Sequence, residues 1–429
     1  MILRKGIVLP FEKKPAMLLP TAELTDVQQI VLPYAYPTDA PVRPRVSLYD
    51  TVRRGTPLSE VEGEPYSVVR SGVTGMVSGE RDLYHPVYGN LHCAVIDCLP
   101  ETDTPTVAPD GGIVTTESIL ESAELAGVID ELDGIPLMLK LREWHEQGSD
   151  FVVADAVEVQ PYGSAGWATL RSHAEQVLDG LSLIAGCVGA SHYHIAACLS
   201  VTRRRSIALR VGKDYFYQAD SRYPVREPVR RGRRNGVHTV RRGGTVRRVG
   251  VQACLALSRA VRLGETHSHT VVTVSGDAVK NPQNMLVPFG TSVHELLRRC
   301  GLTADPTYLI LGDSMTGYAS LTQDVPVLAG MTCVLAFTAE KAAPHPSRAC
   351  IGCGRCATVC PAGLLPFEIY RRYQNMQYER LASLHPSDCR GCGSCSYVCP
   401  CELELSAAVQ EAAHTGAPLL LDLKEDTDA

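Results

Sequence analysis

Eight cysteines constrain this chain more than any other feature of its 429 residues. They form two groups of one shape, Cys350-x2-Cys353-x2-Cys356-x3-Cys360-Pro361 and Cys389-x2-Cys392-x2-Cys395-x3-Cys399-Pro400. Three thiolates separated by two residues let a tight loop wrap three corners of a cube. The fourth starts a helix or turn and reaches across to a neighbouring centre. This is the spacing of paired [4Fe–4S] clusters with exchanged fourth ligands. It assigns Cys350, Cys353, Cys356 and Cys399 to one cluster, and Cys389, Cys392, Cys395 and Cys360 to the other. Small residues between the ligands (Gly352, Gly354, Gly391, Gly393, Ser394) let backbone amides approach sulfur, which tunes the reduction potential. Structural zinc instead pairs short Cys-x2-4-Cys knuckles across a longer gap. It does not place four cysteines within eleven residues twice. Two bridged clusters lie close together and suit one-electron relay. The polar, Tyr-rich stretch Phe367 to Leu384 reads as a helix packed beside them.

The other eight of the 16 cysteines (Cys93, Cys98, Cys187, Cys198, Cys254, Cys300, Cys333, Cys401) are mostly scattered in apolar segments. Arg4, Lys5, Glu12, Lys13 and Lys14 bracket an apolar run too short for a signal peptide. The expectation is a reducing cytoplasm with free thiols. The nearest approach to a membrane span, Leu181 to Val201, is interrupted by His192, Tyr193 and His194 and reads as buried soluble structure. With 45% apolar and 21% charged residues the chain has an ordinary globular composition, which excludes wholesale disorder. A net charge of −6 argues against a dedicated nucleic-acid binder.

Along the chain the pattern changes character. Residues 1–100 read as short strands between frequent turns, with apolar alternation at Val46 to Leu48, Val52, Tyr66 to Val69 and Val77. Residues 101–112 read as a linker. Over 113–265, helix-like segments (Glu117 to Ala126, Thr169 to Leu183, Ala253 to Leu263) alternate with strand candidates such as Phe151 to Ala154, favouring an α/β layer. A compact mixed unit over 266–340 predicts strands at Thr270 to Val274, Tyr308 to Leu311 and Cys333 to Phe337, and a helix at Val293 to Cys300. A linker at Ala342 to Ser347 precedes the cysteine region of 350–415, and the acidic tail after Gly416 is expected to fray.

The cysteine region, with Gly363-Leu364-Leu365-Pro366 after its first group, resembles the C subunit of the Rnf electron-transport complex. It is also similar to the proline reductase-associated electron-transfer protein of the same superfamily. The unit at 266–340, with Val272 to Val279, Val287 to Thr291 and Gly312 to Gly317, resembles that family's soluble-ligand-binding β-grasp domain. Val46 to Val77 looks like its barrel-sandwich hybrid domain, without the Met-Lys-Met hairpin of a swinging carrier. The resemblance implies a multidomain α/β and α+β protein. Its parts are an N-terminal barrel-sandwich hybrid (1–100), a degenerate Rossmann-like FMN/NADH-type domain (113–265), a β-grasp domain (266–340) and a ferredoxin-like dicluster domain (350–415).

In that family a glycine-rich loop resembles the flavin- and NADH-binding loop of respiratory dehydrogenases. Here it reads Ile129-Asp-Glu-Leu-Asp133-Gly-Ile-Pro136-Leu-Met-Leu-Lys140-Leu. Gly134, Pro136, Lys140 and Leu141 fit, but three family glycines are Ile129, Glu131 and Leu132. Side chains there block backbone N–H groups from an anion, and the added carboxylates would repel a phosphate. Downstream, Glu158 and Pro161-Tyr162 fit while Gln160 replaces a family Glu, and an Asn-x-x-Thr-like element appears as Gln252-Ala-Cys254-Leu255. Gly134, Lys140 and Glu158 are therefore the candidate cofactor residues of a degenerate site. The expectation is that neither FMN nor NADH binds.

Between Arg203 and Arg248, 14 Arg and one Lys face three acids, whereas 101–150 holds 12 acids and two bases. The Arg-rich part is either a docking face for an acidic redox partner or a solvated segment paired with the acidic one. Its 222–248 part has one Tyr and no Phe or Trp for stacking on nucleic acid. His192 and His194 read as core or interface residues rather than ligands of a further metal, and Cys401 as a bystander thiol. Gly312-Asp-Ser314-Met is not a nucleophile elbow. The expected function is a relay through two [4Fe–4S] clusters between redox proteins, with no catalytic residue of its own. The partners are a reductase or Rnf-type membrane subunits, met in the cytoplasm or at the inner face of the membrane. The alternative is an NADH-oxidising, FMN-containing component of an Rnf-type complex.

Overall fold

The computed structural model describes residues 6–86, 88–100, 114–224, 230–232, 239–241, 244–342 and 346–414. The linker at 101–112, the acidic tail and much of the Arg-rich stretch lie outside the described residues. The chain is a mixed α/β, multidomain protein.

Phe151–Ala156 is buried at every position and forms the middle of a four-stranded parallel sheet. The chain runs from it through the helix Ala165–Cys187 to His192–Ala197, then through the helix Val201–Val211 to Phe216–Gln218. It later returns on the opposite side of Phe151–Ala156 with Val246–Gly250. The strand order therefore reverses beside Phe151–Ala156. In such open sheets the crevice outside the carboxyl ends of the strands at that reversal is the usual ligand site. The helix Ala165–Cys187 is longer than the expected Thr169 to Leu183 and is kinked at His173. It crosses the helix Val251–Leu263 so closely that a Cβ on Gly180 would lie 1.8 Å from the Cys254 carbonyl oxygen.

The second layer is made by two stretches far apart in sequence. Gln29–Pro33, Gly89–Cys98, Gly75–His85 and Thr51–Val52 form an antiparallel sheet, and Val42–Pro44 pairs with Ser59–Val61 in a smaller one. Val46 to Leu48 and Tyr66-Ser67, expected as strand, lie in turns and a short 3-10 helix. Val46 still joins the core, whereas Leu48 is exposed. His269–Ser275, Gln283–Pro288, Tyr308–Leu311, Tyr318–Ser320 and Cys333–Phe337 belong to a mixed sheet flanked by the helix Val293–Cys300. Ile30, Leu32 and Ile96 share one buried core with Val272, Val287 and Leu296. Each such side chain contributes roughly 1.5–3 kcal/mol, so the two stretches hold each other.

The N-terminal segment is woven over both layers. Ala22–Glu23 adds a parallel edge strand beside Gln283–Pro288. Met17 joins the core of the parallel-sheet layer. Ile7 bridges to Tyr223. The expected unit of 1–100 thus gives its first two dozen residues to other layers. In the cysteine region the expected long helix is only Pro366–Gln374, followed by 3-10 turns at Tyr378–Arg380 and Ala382–Leu384. The break is at Met376, which adopts a φ of +52°. Phe367 and Tyr370 pack against the cysteine core.

Candidate functional site

The two cysteine groups fold alike. In each, a glycine at φ near +70° (Gly354 at +72°, Gly393 at +70°) turns the loop into a short helix, Arg355–Val359 or Ser394–Tyr397. The third cysteine, Cys356 or Cys395, rides the first turn. The fourth, Cys360 or Cys399, follows the helix rather than starting one. The two short helices pack together, so each fourth thiol reaches the other loop. Cys350, Cys353, Cys356 and Cys399 surround one cavity, together with Phe367, Leu403 and Cys401. Cys360, Cys389, Cys392 and Cys395 surround a second, closed by Leu364 and Val409. The N–H groups of Gly352 and Gly391 point at Cys350 and Cys389 Sγ, at 3.4 and 3.5 Å. Burial, then the neighbouring Cys392, pushes the Cys395 thiol up to about 12, and burial also raises Cys356 and Cys389. Such thiols ionise when a metal takes them, with release of protons.

The two sets differ in surroundings. Cys350 and Cys353 are exposed, whereas Cys389 and Cys392 are half-buried. The second set leans on the body of the protein. Tyr223 Oη donates to the Cys392 carbonyl at 2.6 Å. A Cβ on Gly393 would lie 3.1 Å from the Met315 carbonyl oxygen. Arg390 and Cys392 line a cleft of about 570 Å3 whose other walls are the 131–134 loop, Asp155 to Gln160, Tyr223, and the 311–318 and 329–332 loops. This cleft lies at the strand-order reversal.

Two helices aim their N-termini at the cleft, and a carboxyl of the chain itself sits on each. Glu131 accepts the N–H groups of Gln252 and Ala253, at 2.6 and 2.9 Å, on the first turn of Val251–Leu263. Glu158 accepts those of Gly166 and Trp167, at 2.7 and 3.1 Å, on Ala165–Cys187. Asp130 accepts the N–H of Gly250 at 2.9 Å and that of Leu132 at 3.1 Å. Lys140 Nζ is held between Asp130 and Asp133, at 2.5 and 2.7 Å. The space beside Gly250 is taken by Glu131: a Cβ there would lie 2.0 Å from Glu131 Cδ and would displace that carboxyl. Burial, with Asp130 adding to it, pushes Glu131 up to about 8. Burial likewise raises Glu158 and Asp313, against the pull of Lys13. Desolvation weakens the charge on Lys140, but the pull of Asp130 and Asp133 outweighs it, and the ammonium is held more tightly than usual.

The three candidate cofactor residues are therefore brought to one region, but in roles the motif did not suggest. Gly134 lines the cleft wall at φ +74° against Tyr88, Lys140 neutralises its own loop, and Glu158 caps a helix. Repulsion of a phosphate by outward-facing carboxylates is not what the loop shows, because Asp130 and Glu131 face inward onto donors. Sequence reasoning gave no site role to Lys13, Asp313 or Tyr223 and read Gln160 only as a departure from a family motif. Buried Lys13 donates to the Gly163 carbonyl. Gln160 holds Asp313 and the N–H of Met315, at 3.2 and 2.8 Å. Asp313 is one wall of the cleft, and Tyr223 joins that cleft to the cysteine loop. The signal for Lys13, Asp313 and Tyr223 was polarity in otherwise apolar or charged segments. His194 is buried against Phe151 and Tyr217, with ring centroids at 4.8 and 5.3 Å. Among the described residues no three His, Cys, Asp or Glu side chains converge on a single metal ion. Arg248 pairs with Asp155, just outside the expected acidic segment, while Arg247 bonds Gln147 at 2.6 Å and covers Trp144. No described helix is long and apolar enough to cross a membrane.

Residues 349–403 match the 4Fe-4S dicluster domain family. The C subunit of the Na(+)-translocating ferredoxin:NAD(+) oxidoreductase complex of Acetobacterium woodii is 28% identical over 400 residues, 89% of this chain and 90% of that one. The C subunit of the proton-translocating ferredoxin:NAD(+) oxidoreductase complex of Clostridium ljungdahlii is 26% identical, over 84% of this chain and 82% of that one. The C subunit of the ion-translocating oxidoreductase complex of Rhodobacter capsulatus is 27% identical, over 80% and 69%. A solved NAD+-reducing [NiFe]-hydrogenase aligns at 16% identity and a TM-score of 0.43, over 70% of this chain and 60% of that one, too distant to assign a fold. With a 4Fe-4S dicluster match at residues 349–403 and relatives aligned over most of its length, the chain is similar to C subunits of ion-translocating oxidoreductase complexes.

Proposed function

We propose that the protein is an electron-relay component holding two [4Fe–4S] clusters. Cys350, Cys353, Cys356 and Cys399 hold an outer cluster, and Cys360, Cys389, Cys392 and Cys395 an inner one. The observation that carries this is the exchange of the fourth thiol, which puts four cysteines around each of two adjoining cavities. When bound, each cluster supplies a one-electron couple. The chain's own residues do the rest. The thiols fix position, the Gly352 and Gly391 amides bond to sulfur, and Phe367, Leu364 and Val409 keep water from the buried side. Tyr223 and Met315 anchor the inner loop to the cleft. The outer face, with Cys350 and Cys353 exposed, is where a protein partner meets the relay. The partners are redox proteins, either a reductase or membrane subunits of an Rnf-type complex. On this reading the chain works in the cytoplasm or at the inner membrane face. The parallel-sheet layer is then a degenerate Rossmann-like domain (113–265). The flanking β units are a barrel-sandwich hybrid (within 1–100) and a β-grasp domain (266–340), and they position the dicluster domain (350–415).

The cleft favours a second reading, an NADH-oxidising component with bound FMN; the names of the Acetobacterium and Clostridium relatives print NAD(+) as a reactant of their complexes. The residues present do not fit it. A flavin or nicotinamide cofactor places phosphate on backbone N–H groups at a helix N-terminus, and here Glu131, at the position of a family glycine, holds those of Val251–Leu263. The separating experiment is anaerobic reconstitution with iron, sulfide and FMN, removal of unbound flavin, and addition of NADH. The relay retains no flavin, ignores NADH and bleaches with dithionite. Bleaching by NADH would make it part of a dehydrogenase.

A further inference from the structure

The mismatch between the cleft and a phosphate-bearing cofactor has a single main cause in the geometry. We propose that Glu131 is a built-in plug: its carboxyl stands where a phosphoryl group would bind, and it closes the cleft to phosphate-bearing cofactors. The proposal deepens the relay reading and rests on it only in the claim that wild-type protein holds no flavin.

A helix leaves its first N–H groups without intrahelical partners, and an anion satisfies them well. The helix Val251–Leu263 has 13 residues and begins at the strand-order reversal, at the floor of the 570 Å3 cleft. Its donors on Gln252 and Ala253 are both taken by one carboxyl, a two-oxygen grip on two amides. The amide of Gly250, just before the helix, is taken by Asp130. Gly250 has no Cβ, and the space a Cβ would fill is filled by the Glu131 carboxyl, 2.0 to 2.2 Å from that point. Phosphate cradles use glycine for the same purpose, to let an anion approach backbone. The plug is held from behind. Lys140 is bound to Asp130 and Asp133 and offsets their charge in the same loop. Glu158 treats the second helix N-terminus in the same way. The anchoring point on Val251–Leu263 is thus filled from within by a residue that replaces a family glycine, while the volume beside it stays open. The cleft is left suited to a ligand without phosphate, or to a protein side chain.

The test is a gain of function in the full chain with its clusters reconstituted anaerobically. Glu131→Gly removes the plug. Glu131→Gln retains its bulk and serves as the filled control. FMN and inorganic phosphate are the probes, read by equilibrium dialysis and flavin fluorescence, with cluster absorbance and circular dichroism reporting the fold. The expected result is at least ~10-fold tighter binding of both probes by Glu131→Gly than by wild type or Glu131→Gln, a difference of about 1.4 kcal/mol. Should glycine loosen the loop, Glu131→Ser is read the same way. FMN binding to wild type as tight as to Glu131→Gly overturns the plug and the flavin-free relay together. Binding of neither probe by a folded Glu131→Gly or Glu131→Ser chain overturns the plug alone and leaves the relay standing.

Discussion

The inner and outer cysteine sets have the same spacing, the same glycine turn and the same short helix, yet they meet different surroundings. Cys350 and Cys353 of the outer set are open to solvent. In the inner set Cys392 borders the cleft, its carbonyl is bonded to Tyr223, and the adjoining Gly393 rests on Met315. Cluster potentials respond to solvent exposure and to hydrogen bonds around the sulfurs. On the proposed function, two sites made from one local code are therefore distinguishable couples. Spacing decides which residues bind, while the rest of the fold decides what each centre does. On the proposed function the inner site exchanges electrons on the cleft side and the outer site with a partner protein.

The largest effect expected is loss of one cluster at a time. Cys353→Ala and Cys392→Ala should each halve the iron and sulfide per chain, and each should remove a different electron paramagnetic resonance signal after dithionite reduction. Transfer to a protein acceptor should cease in both. A single substitution that strips all the iron would show the two sites to be one cooperative unit and erase the distinction.

The next effect concerns the wall beside the inner site. Desolvation of its carboxyl, with Asp130 beside it, pushes Glu131 from an ordinary 4.5 up to about 8. Cys254 on the helix below and Lys140 behind Asp130 are the other ionisable groups facing it. Between those two pH values the folded chain keeps a proton that the unfolded chain has lost, so stability falls as pH rises from about 4.5 to about 8. The melting temperature of wild type should fall over that range more than that of Glu131→Gln. Parallel curves would show that Glu131 is ionised throughout. A smaller change is expected from Tyr223→Phe, which removes one partly buried hydrogen bond, ~0.5–1.5 kcal/mol. In a redox titration it should move the inner midpoint and leave the outer one in place. Equal movement of both would deny Tyr223 its selective contact with Cys392.

Much of this was legible in sequence where the information is local. Thiols at fixed short spacings wrap a cluster whatever surrounds them, and the loops fold around Gly354 and Gly393 accordingly. The helix Val293–Cys300 was also readable, with Leu296, Leu297 and Cys300 on one buried face and the Ser292 side chain capping the Glu295 amide. What was not legible depends on approach across the fold. Tyr223 sits 169 residues from Cys392, inside a stretch whose arginines dominate any reading. Lys13 meets Gly163 across 150 residues. Charge at Asp130, Glu131 and Asp133 was visible, but whether those carboxyls faced outward or onto amides was not. The amides that Glu131 holds belong to a helix 121 and 122 residues later.

The smallest effect expected is the sharpest check on which thiols belong to the outer site. Cys401 is buried beside that site and lines its cavity with the four assigned cysteines. Two of those, Cys350 and Cys353, are exposed, so burial alone would rank Cys401 above them as a ligand. Spacing ranks it below, because Cys399 follows its helix much as Cys360 does, and Cys401 has no counterpart in the first group. The apolar contacts of Cys401 with Leu403 and Leu405 give its side chain a packing role. Cys401→Ala should therefore keep the full iron content and the outer resonance, at a packing cost of about 1 kcal/mol or less. Cys399→Ala should lose that resonance. If Cys401→Ala lost iron and Cys399→Ala kept it, the outer site would be completed by Cys401, and the symmetry between the two sets would hold in spacing only.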